Sequence, residues 1–445
     1  MKKKYVRWTL WTIASPFILF IILCILIYLP PIQNFLVDKA AVYASEATGM
    51  NISVGRISLS FPLNLVVTNV DAASPHNDTL LSVRRLQVNV QLLPLLKKQV
   101  EVDGISLQGA TVNSNDLIHG MKLNGTLGEL FISSHGVALD PETAIVNKVL
   151  LKDTDLSLCL NDTAAADTAA SDTAYWKIIL QDIDLQNVSF ALDMPLDSLS
   201  LAASLDNAIL RDGLIDLHKS AYSLQTFRIE NGRVRYDNGK PLAADSLSSG
   251  LDPSHIALTD IGVKLDSLYY GGRNMKAIIS QFVLKERSGV EIVSATGRMV
   301  SNDKVLRVPS LKLETRDSYL ELNAAMDWNA LDFKDEGLVS ARLMADIGKP
   351  DVVRFMGSMD EKFIRQYPSE PLRIRTGIDG DLNKLKLTTL TAELPGALGL
   401  FARGELTHLT DSLLRGGDIT LEAETKDLKF VSTLAEGIEI PYGTR

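Results

Sequence analysis

A chain of 445 residues that is 46% hydrophobic, 22% charged and 6% aromatic has enough apolar material to fold and is not disordered by composition. Its net charge of −9 offers no basic stripe to neutralise phosphates, which argues against nucleic-acid partners. Two cysteines, Cys24 and Cys159, and six scattered histidines leave neither a disulfide framework nor a metal-ligand spacing.

The first predicted element is a membrane anchor over residues 8–29. A basic segment, residues 1–7, holds Lys2, Lys3, Lys4 and Arg7 and is expected on the cytoplasmic side. The run that follows meets no charge before Asp38, and Phe17, Phe20 and Leu29 lie in its most apolar part. About 20 apolar residues rising about 1.5 Å each cross about 30 Å of hydrocarbon. Trp8 and Trp11 at one end and Tyr28 at the other suit the two interfaces, and Pro16 is tolerated in a membrane helix. A cleaved signal peptide would have a shorter apolar core and a small-x-small cleavage site. Here the run ends in Leu29, Pro30 and Pro31, so an uncleaved single-pass anchor is expected, with the rest of the chain exported.

Residues 30–49 read as a short amphipathic helix. The proline pair breaks the preceding helix. Ile32, Phe35, Leu36, Ala40, Tyr43 and Ala47 then recur at helical spacing, and Gly49 is placed to end the element as C′.

From residue 50 the period changes from 3.6 to 2. Leu86, Val88, Val90 and Leu92 alternate with Arg85, Gln87, Asn89 and Gln91, and the same pattern returns around Leu156, Leu158, Leu372, Ile374, Leu385 and Leu387. Such alternation predicts strands with one dry and one wet face. An internal repeat underlies it. Ile105, Leu107, Gly109 and Val112 superpose on Val149, Leu151, Asp153 and Leu156, then on Ile183, Leu185, Asn187 and Phe190, then on Phe227, Ile229, Asn231 and Val234. The step of five between the last two apolar positions would put them on opposite faces of a flat strand. A two-residue hairpin turn would bring Leu107/Val112, Leu151/Leu156, Leu185/Phe190 and Ile229/Val234 face to face, and Asn231-Gly232 suits a type I′ turn. Val188 fits that scheme poorly, and a bulge is the competing arrangement.

Residues 161–173 are small, polar and repetitive, and read as a flexible insertion between strands. One further helix is predicted over residues 351–356, with Pro350 at its first position and Gly357 as its stop. The P-loop, zincin, nucleophile-elbow and CxxC signatures do not occur. The acid pairs Asp153/Asp155 and Asp182/Asp184 are expected on the wet face of strands, and no enzymatic activity, cofactor or metal is expected.

The order of elements is also recognisable. Thr48 and Gly49 followed by Ile52, Val54, Gly55, Ile57 and Leu59, after a single anchor and an amphipathic helix, resembles the start of AsmA-like superfamily proteins. The four repeats are similar to those of TamB-type members. Leu372, Ile374, Gly377, Gly380 and Leu382, with Leu398, Leu400, Gly404 and Leu406, resemble their paired strands. The likeness spans the chain, which is similar to the N-terminal portion of a TamB-type protein or to a shorter AsmA-like member.

What the resemblance implies is a mainly β fold: residues 50–445 as a long repetitive sheet curled into an open, β-taco-like apolar groove. It implies an inner-membrane anchor, a periplasmic body and carriage of phospholipids toward the outer membrane, with acyl chains as the ligand. It equally implies a role in a translocation and assembly module for outer-membrane or secreted proteins, with an outer-membrane barrel protein as partner. On this reading the groove is lined by Leu86, Val88, Val90, Leu107, Val112, Leu151, Leu156, Leu158, Ile183, Leu185, Phe190, Ile229, Val234, Leu372 and Ile374. The energetics are coherent, since two acyl chains exposed to water at ~0.8 kcal/mol per CH₂ cost on the order of 20 kcal/mol. About 20 strands at ~4.8 Å would extend ~100 Å.

Overall fold

The computed structural model describes residues 49–60, 64–74, 78–91, 102–114, 120–138, 142–161, 175–240, 250–334, 337–356, 361–427 and 430, together with residues 39, 41, 42, 45 and 46. The anchor over residues 8–29 and the insertion at 162–173 therefore lie outside the described residues. Among the described residues no helix is long and apolar enough to cross a membrane. Before β1, Lys39, Ala41, Val42, Ser45 and Glu46 have helical backbone, and the Gly49 N–H, at φ +69°, donates to the Ser45 carbonyl over 2.9 Å.

The described chain is mainly β, with twenty strands in one sheet and a few short helices. Contacts divide it into two units. The first holds β1 (Asn51–Ser60), β2 (Asn64–Ala73), β3 (Thr79–Val90), β4 (Val102–Asn113), β5 (Met121–Ala138), β6 (Thr143–Leu160) and β7 (Lys177–Met194). Strands β1 to β6 form an antiparallel meander, each paired with the next. The step from β6 to β7 is different. Asn147 meets Gln181, Asp153 meets Asn187 and Asp155 meets Ser189, always 34 residues apart. A constant difference, where antiparallel pairs have a constant sum, means that these two strands run parallel. A parallel step needs a crossover of a dozen or more residues, and the low-complexity stretch after Leu160 supplies the length.

The second unit holds β8 (Leu199–Asp216), β9 (Ala221–Leu224), β10 (Thr226–Asp237), β11 (His255–Gly271), β12 (Asn274–Glu286) and β13 (Glu291–Ser301). It continues with β14 (Val305–Thr315), β15 (Tyr319–Asp327), β16 (Leu338–Ile347), β17 (Leu372–Asp381), β18 (Lys384–Leu394), β19 (Leu398–Thr407) and β20 (Gly416–Thr425). Strands β9 and β10 are one strand broken at Gln225, since both lie between β8 and β11 in the same register. From β10 onward each strand pairs antiparallel with the next as far as β20. Helices α1 (Trp328–Leu331), α2 (Lys349–Met356) and α3 (Glu361–Gln366) occupy two of the connections. The predicted helix at 351–356 is α2, which starts one residue before Pro350.

The hairpin reading of the repeats is wrong. Leu107 and Val112 belong to one strand, β4, and the other three pairs likewise lie within β6, β7 and β10. What shifts the phase is a left-handed residue inside the strand. Gly109 has φ +61°, Asp153 +49°, Asn187 +51° and Asn231 +53°, all at the Gly/Asp/Asn position of the repeat. Asn69, Asp212 and Asp260, at φ +53°, +51° and +52°, occupy the same place in three further copies. Asn and Asp enter this region at the least cost after Gly, because a short polar side chain compensates locally. One such residue reverses the side-chain alternation while the strand continues, so both apolar pairs reach the same face. Burial along β10 shows the reversal, with half-buried and exposed residues alternating until Asn231 and Gly232 are both covered in succession. The pairing register is unchanged across this line, as in Thr68↔Arg85 followed by Val70↔Val83. Val188, awkward for a hairpin, is simply the residue after the reversal. Further along, β14 and β18 achieve the same reversal with a one-residue bulge.

Packing is uneven. Only fifteen hydrophobic side chains are buried among the described residues, and seven of them are alanines. Most of the larger ones fall into two clusters of the second unit, while Leu80 and Val83 lie in the first unit and Val290 stands outside both clusters. Tyr367, Leu394, Ala397 and Phe430 form one, with Val352, Phe363, Leu372 and Leu398 packed against them. Ala330, Val339 and Leu382 form the other, under α1.

Candidate functional site

Following the pairing across each unit shows which side chains share a face. In the first unit Ile57, Val67, Leu86, Leu107, Leu130 and Leu151 are consecutive partners from β1 to β6. Leu59, Leu65, Val88, Ile105, Ile132 and Val149 form the adjacent row. Beyond the left-handed line run Val54, Val70, Val83, Ala110, Leu127 and Thr154, then Ile52, Ala72, Leu81, Val112, Gly125 and Leu156. Four rows across six strands thus contain no charge, and Thr154 and Gly125 are their only non-aliphatic members.

The second unit repeats the arrangement over more strands. One row runs Ala208, Ile229, Val263, Phe282, Ala295, Leu313, Leu320, Ala345, Ile374, Ala392, Leu400 and Ala423, apolar throughout. Its neighbour, from Leu210 through Phe227, Leu265, Leu311, Leu322, Leu343 and Leu390 to Leu421, is interrupted only by Gly297 and Thr376.

The positions singled out by sequence are placed as follows. Leu86, Val88, Leu107, Val112, Leu151 and Leu156 lie in the first unit's rows. Leu158 partners Leu123, and Val90 partners Val102 beyond a bulge. Ile183, Leu185 and Phe190 stand 34 residues on from Val149, Leu151 and Leu156, in line with the parallel β6–β7 contacts. Ile229 and Ile374 share the long row of the second unit. Val234 belongs to a shorter one, Ala203, Val234, Leu258 and Glu286. That row ends in a buried carboxylate, which accepts from the Ala257 and Ser288 N–H groups. Leu372 packs in the aromatic cluster instead of standing in the open. None of the fifteen is fully buried; fourteen are half-buried and Phe190 is exposed. The sequence reading missed Val67, Leu130, Val263, Leu313 and Leu322; alternation was available as a signal around the last three, while Val66 and Phe131 break it around the first two.

The opposite face is polar and laced with ion pairs. Arg375 bridges to Asp346 at 2.8 Å, Lys384 to Glu405 at 3.0 Å, and Arg316 to Glu291 at 2.6 Å. The Asp260 hydrogen bond, at 2.7 Å, raises the Lys285 pKa. Asp153 and Asp155 accept from Asn187 and Ser189. In the first unit a cleft of about 560 Å³ follows the left-handed line, lined by Asn69, Asp71, Arg84, Thr111, Gly128 and Asp153 among others. A β-carbon on Gly109 would lie 3.0 Å from the Arg84 guanidinium, so glycine there leaves the arginine room.

One end of the second unit is closed. The Asp351 carboxylate, wholly buried at the start of α2, accepts from the Thr315 and Ser318 hydroxyls and, over 3.0 Å, from Arg354. Burial works against the Arg354 charge, but the hydrogen bonds it donates to Asp317 and Asp351 outweigh it and raise the guanidinium pKa. Burial also raises the Tyr367 phenol pKa. Chemically, the described surface offers an extended aliphatic face backed by a solvated one, and no cluster of His, Cys, Asp and Glu among the described residues has metal-binding geometry. No protein-family model matches the sequence, and no curated protein matches it.

Proposed function

We propose that this chain is a membrane-anchored carrier of phospholipid acyl chains, related in kind to the AsmA-like superfamily, with each unit's aliphatic face acting as the wall of an open groove. The observation that carries this reading is the combination of uncharged rows many strands long, all in one sheet, with larger side chains that are mostly only half-buried. A core residue of an ordinary β-sandwich is covered by the facing sheet about 10 Å away; here most of the larger row members stay only half-buried, and it is chiefly the small ones, such as Ala345 and Ala402, that are buried. Leaving so much aliphatic surface uncovered costs about 25 cal/mol per Å², and an acyl chain laid along it recovers that cost on both surfaces. Such a wall binds by shape and dryness, so it needs no catalytic residue. The anchor, the periplasmic location and transfer toward the outer membrane belong to the same proposal.

Photocrosslinking amino acids placed at Val88, Leu158 and Ile374 should capture phospholipid, while Gln87 and Ser157 on the other face should not. Equal capture from both faces would end the proposal. A second reading, a binding scaffold in a translocation and assembly module, is favoured by one feature, the unpaired edge of β20. Recovery of an outer-membrane barrel protein with no lipid on the apolar face would replace the first reading by the second.

A further inference from the structure

Strand β20 differs from every other strand in that all ten of its residues are exposed. It pairs with β19 along its whole length, from Leu398↔Thr425 to Thr407↔Gly416, and has no partner on its other side among the described residues. In an antiparallel ladder alternate residues turn both backbone groups toward the same neighbour. Half of the N–H and C=O groups of β20 therefore point outward. Edge strands are ordinarily blunted by shortness, proline, charged side chains or a bulge, and of these β20 has only the carboxylates of Asp418, Glu422 and Glu424. Its side chains instead continue the sheet: Ile419, Leu421 and Ala423 extend the rows through Gly404, Ala402 and Leu400. Leu421 is 61% exposed although Ala402 beside it is 3% exposed, so the row stops at an uncovered step.

We infer that the free edge of β20 takes up an added β-strand from a partner chain, and that this strand alternates apolar residues with lysine or arginine. The apolar half of the pattern follows from Ile419, Leu421 and Ala423. The basic half follows from Asp418, Glu422 and Glu424, which lie together on the other face. A second copy of β20 does not fit. Antiparallel self-pairing that stacks apolar on apolar sets Asp418 opposite Glu424 when centred on Leu421, and Asp418 opposite Glu422 when centred on Thr420. Centred on Glu422, it sets that residue against itself. Like charges directly opposite destabilise a ladder, whereas opposite charges stabilise it. Backbone pairing supplies affinity and the alternating side chains supply selectivity. The edge acts in this way whether or not the apolar face carries lipid.

Two ten-residue peptides, one alternating valine with lysine and one alternating valine with glutamate, distinguish the outcomes when titrated into the purified full chain. The lysine peptide should bind at least about tenfold more tightly, a difference of about 1.4 kcal/mol. It should also slow hydrogen exchange at alternate amides of residues 416–425. In the triple variant Asp418→Lys, Glu422→Lys, Glu424→Lys, whose sites are all exposed, the preference should reverse. Equal affinity for the two peptides, a preference that survives charge reversal, or protection located away from β20 overturns the inference. So does self-association of the chain that protects β20 without peptide, which would assign the edge to a second copy.

Discussion

Two regions of the second unit treat the same sheet face in opposite ways. Along the row from Val263 to Leu400 the larger aliphatic side chains are only half-buried, while Ala295 and Ala345 between them are buried. At the ends of β17, β18 and β19 the face is covered by aromatic rings. Phe363, Tyr367 and Phe430 meet with ring centroids 5.7–5.8 Å apart, and Phe430 is 1% exposed. The strands beneath are alike in both regions. The difference lies in what the sequence supplies between strands: a helical insertion with Pro350, Phe363 and Tyr367 in one place, and between the other strands of the row tight turns apart from the short α1 connection. The contrast shows that this face forms an ordinary core wherever aromatic side chains are brought to it, so coverage is a local choice.

The sharpest way to break that comparison is to remove the cover. Replacing Phe430 by alanine deletes a fully buried ring and should cost about 3–5 kcal/mol. Leu322→Ala, on the row beside that from Val263 to Leu400, should cost only about 1 kcal/mol, because a half-buried side chain has less burial to lose. Denaturant unfolding of the two variants checks the ratio, and equal costs would mean that the open row is covered after all. Next in size is Asp351→Ala. It strips one of two carboxylate partners from Arg354 and removes the acceptor of the Thr315 and Ser318 hydroxyls, with an expected loss of about 3 kcal/mol, the lower end for a buried pair, because Arg354 keeps Asp317 and part of its hydration. Hydrogen exchange should show the loss concentrated in α2 and the adjoining ends of β16 and β17.

The uncovered rows were easy to read from sequence and the reversals within them were not. Leu86, Val88 and Ile374 announce their face by alternation alone, since period 2 is a direct consequence of the pleat. The repeat containing Asn187 gave the correct spacing but two mechanisms, a turn or an in-strand reversal, and local sequence did not separate them. Asn-Gly at 231–232 favours a hairpin on propensity, yet β10 runs through it because its neighbours β8 and β11 hold both halves in register. That is tertiary pairing overriding turn chemistry. The parallel step from β6 to β7 was similarly hidden. A low-complexity stretch after Leu160 signals a long connection, but only the match of Asp153 to Asn187 reveals that the strand comes back in the same direction. The aromatic cover was half legible, with α2 marked by Pro350 and its periodicity, while Phe430 carried no local signal of packing.

The reversal itself can be tested at Asn187. A β-branched residue at φ +51° is strained, and Asn187→Val should destabilise the first unit by about 2 kcal/mol. Asn187→Gly loses the 2.9 Å hydrogen bond to Asp153 but keeps the conformation, so it should cost well under half as much. Were valine and glycine to cost the same, the hydrogen bond and not the backbone would be what places Leu185 and Phe190 on one face.

The smallest effect expected is on pH. At the start of β11 the His255 ring lies between Asp252, 2.8 Å from Nδ1, and Asp237, 3.5 Å from Nε2, with Arg287 bonded to the His255 carbonyl. The hydrogen bond with His255, and after it the Ser254 N–H, lowers the Asp252 pKa below its ordinary 3.8. A depressed carboxylate stabilises the fold at pH values above its unfolded pKa, and the contribution disappears as the pH falls through the folded one. Acidification from pH 5 should therefore leave amide protection around residues 252–258 unchanged until below about pH 3.8, where it declines. Asp252→Asn should remove that decline, and because the half-buried carboxylate keeps contact with solvent it should change stability at neutral pH only modestly. A decline that began near pH 6, or one that persisted in the asparagine variant, would assign the pH response of this strand end to a group other than Asp252.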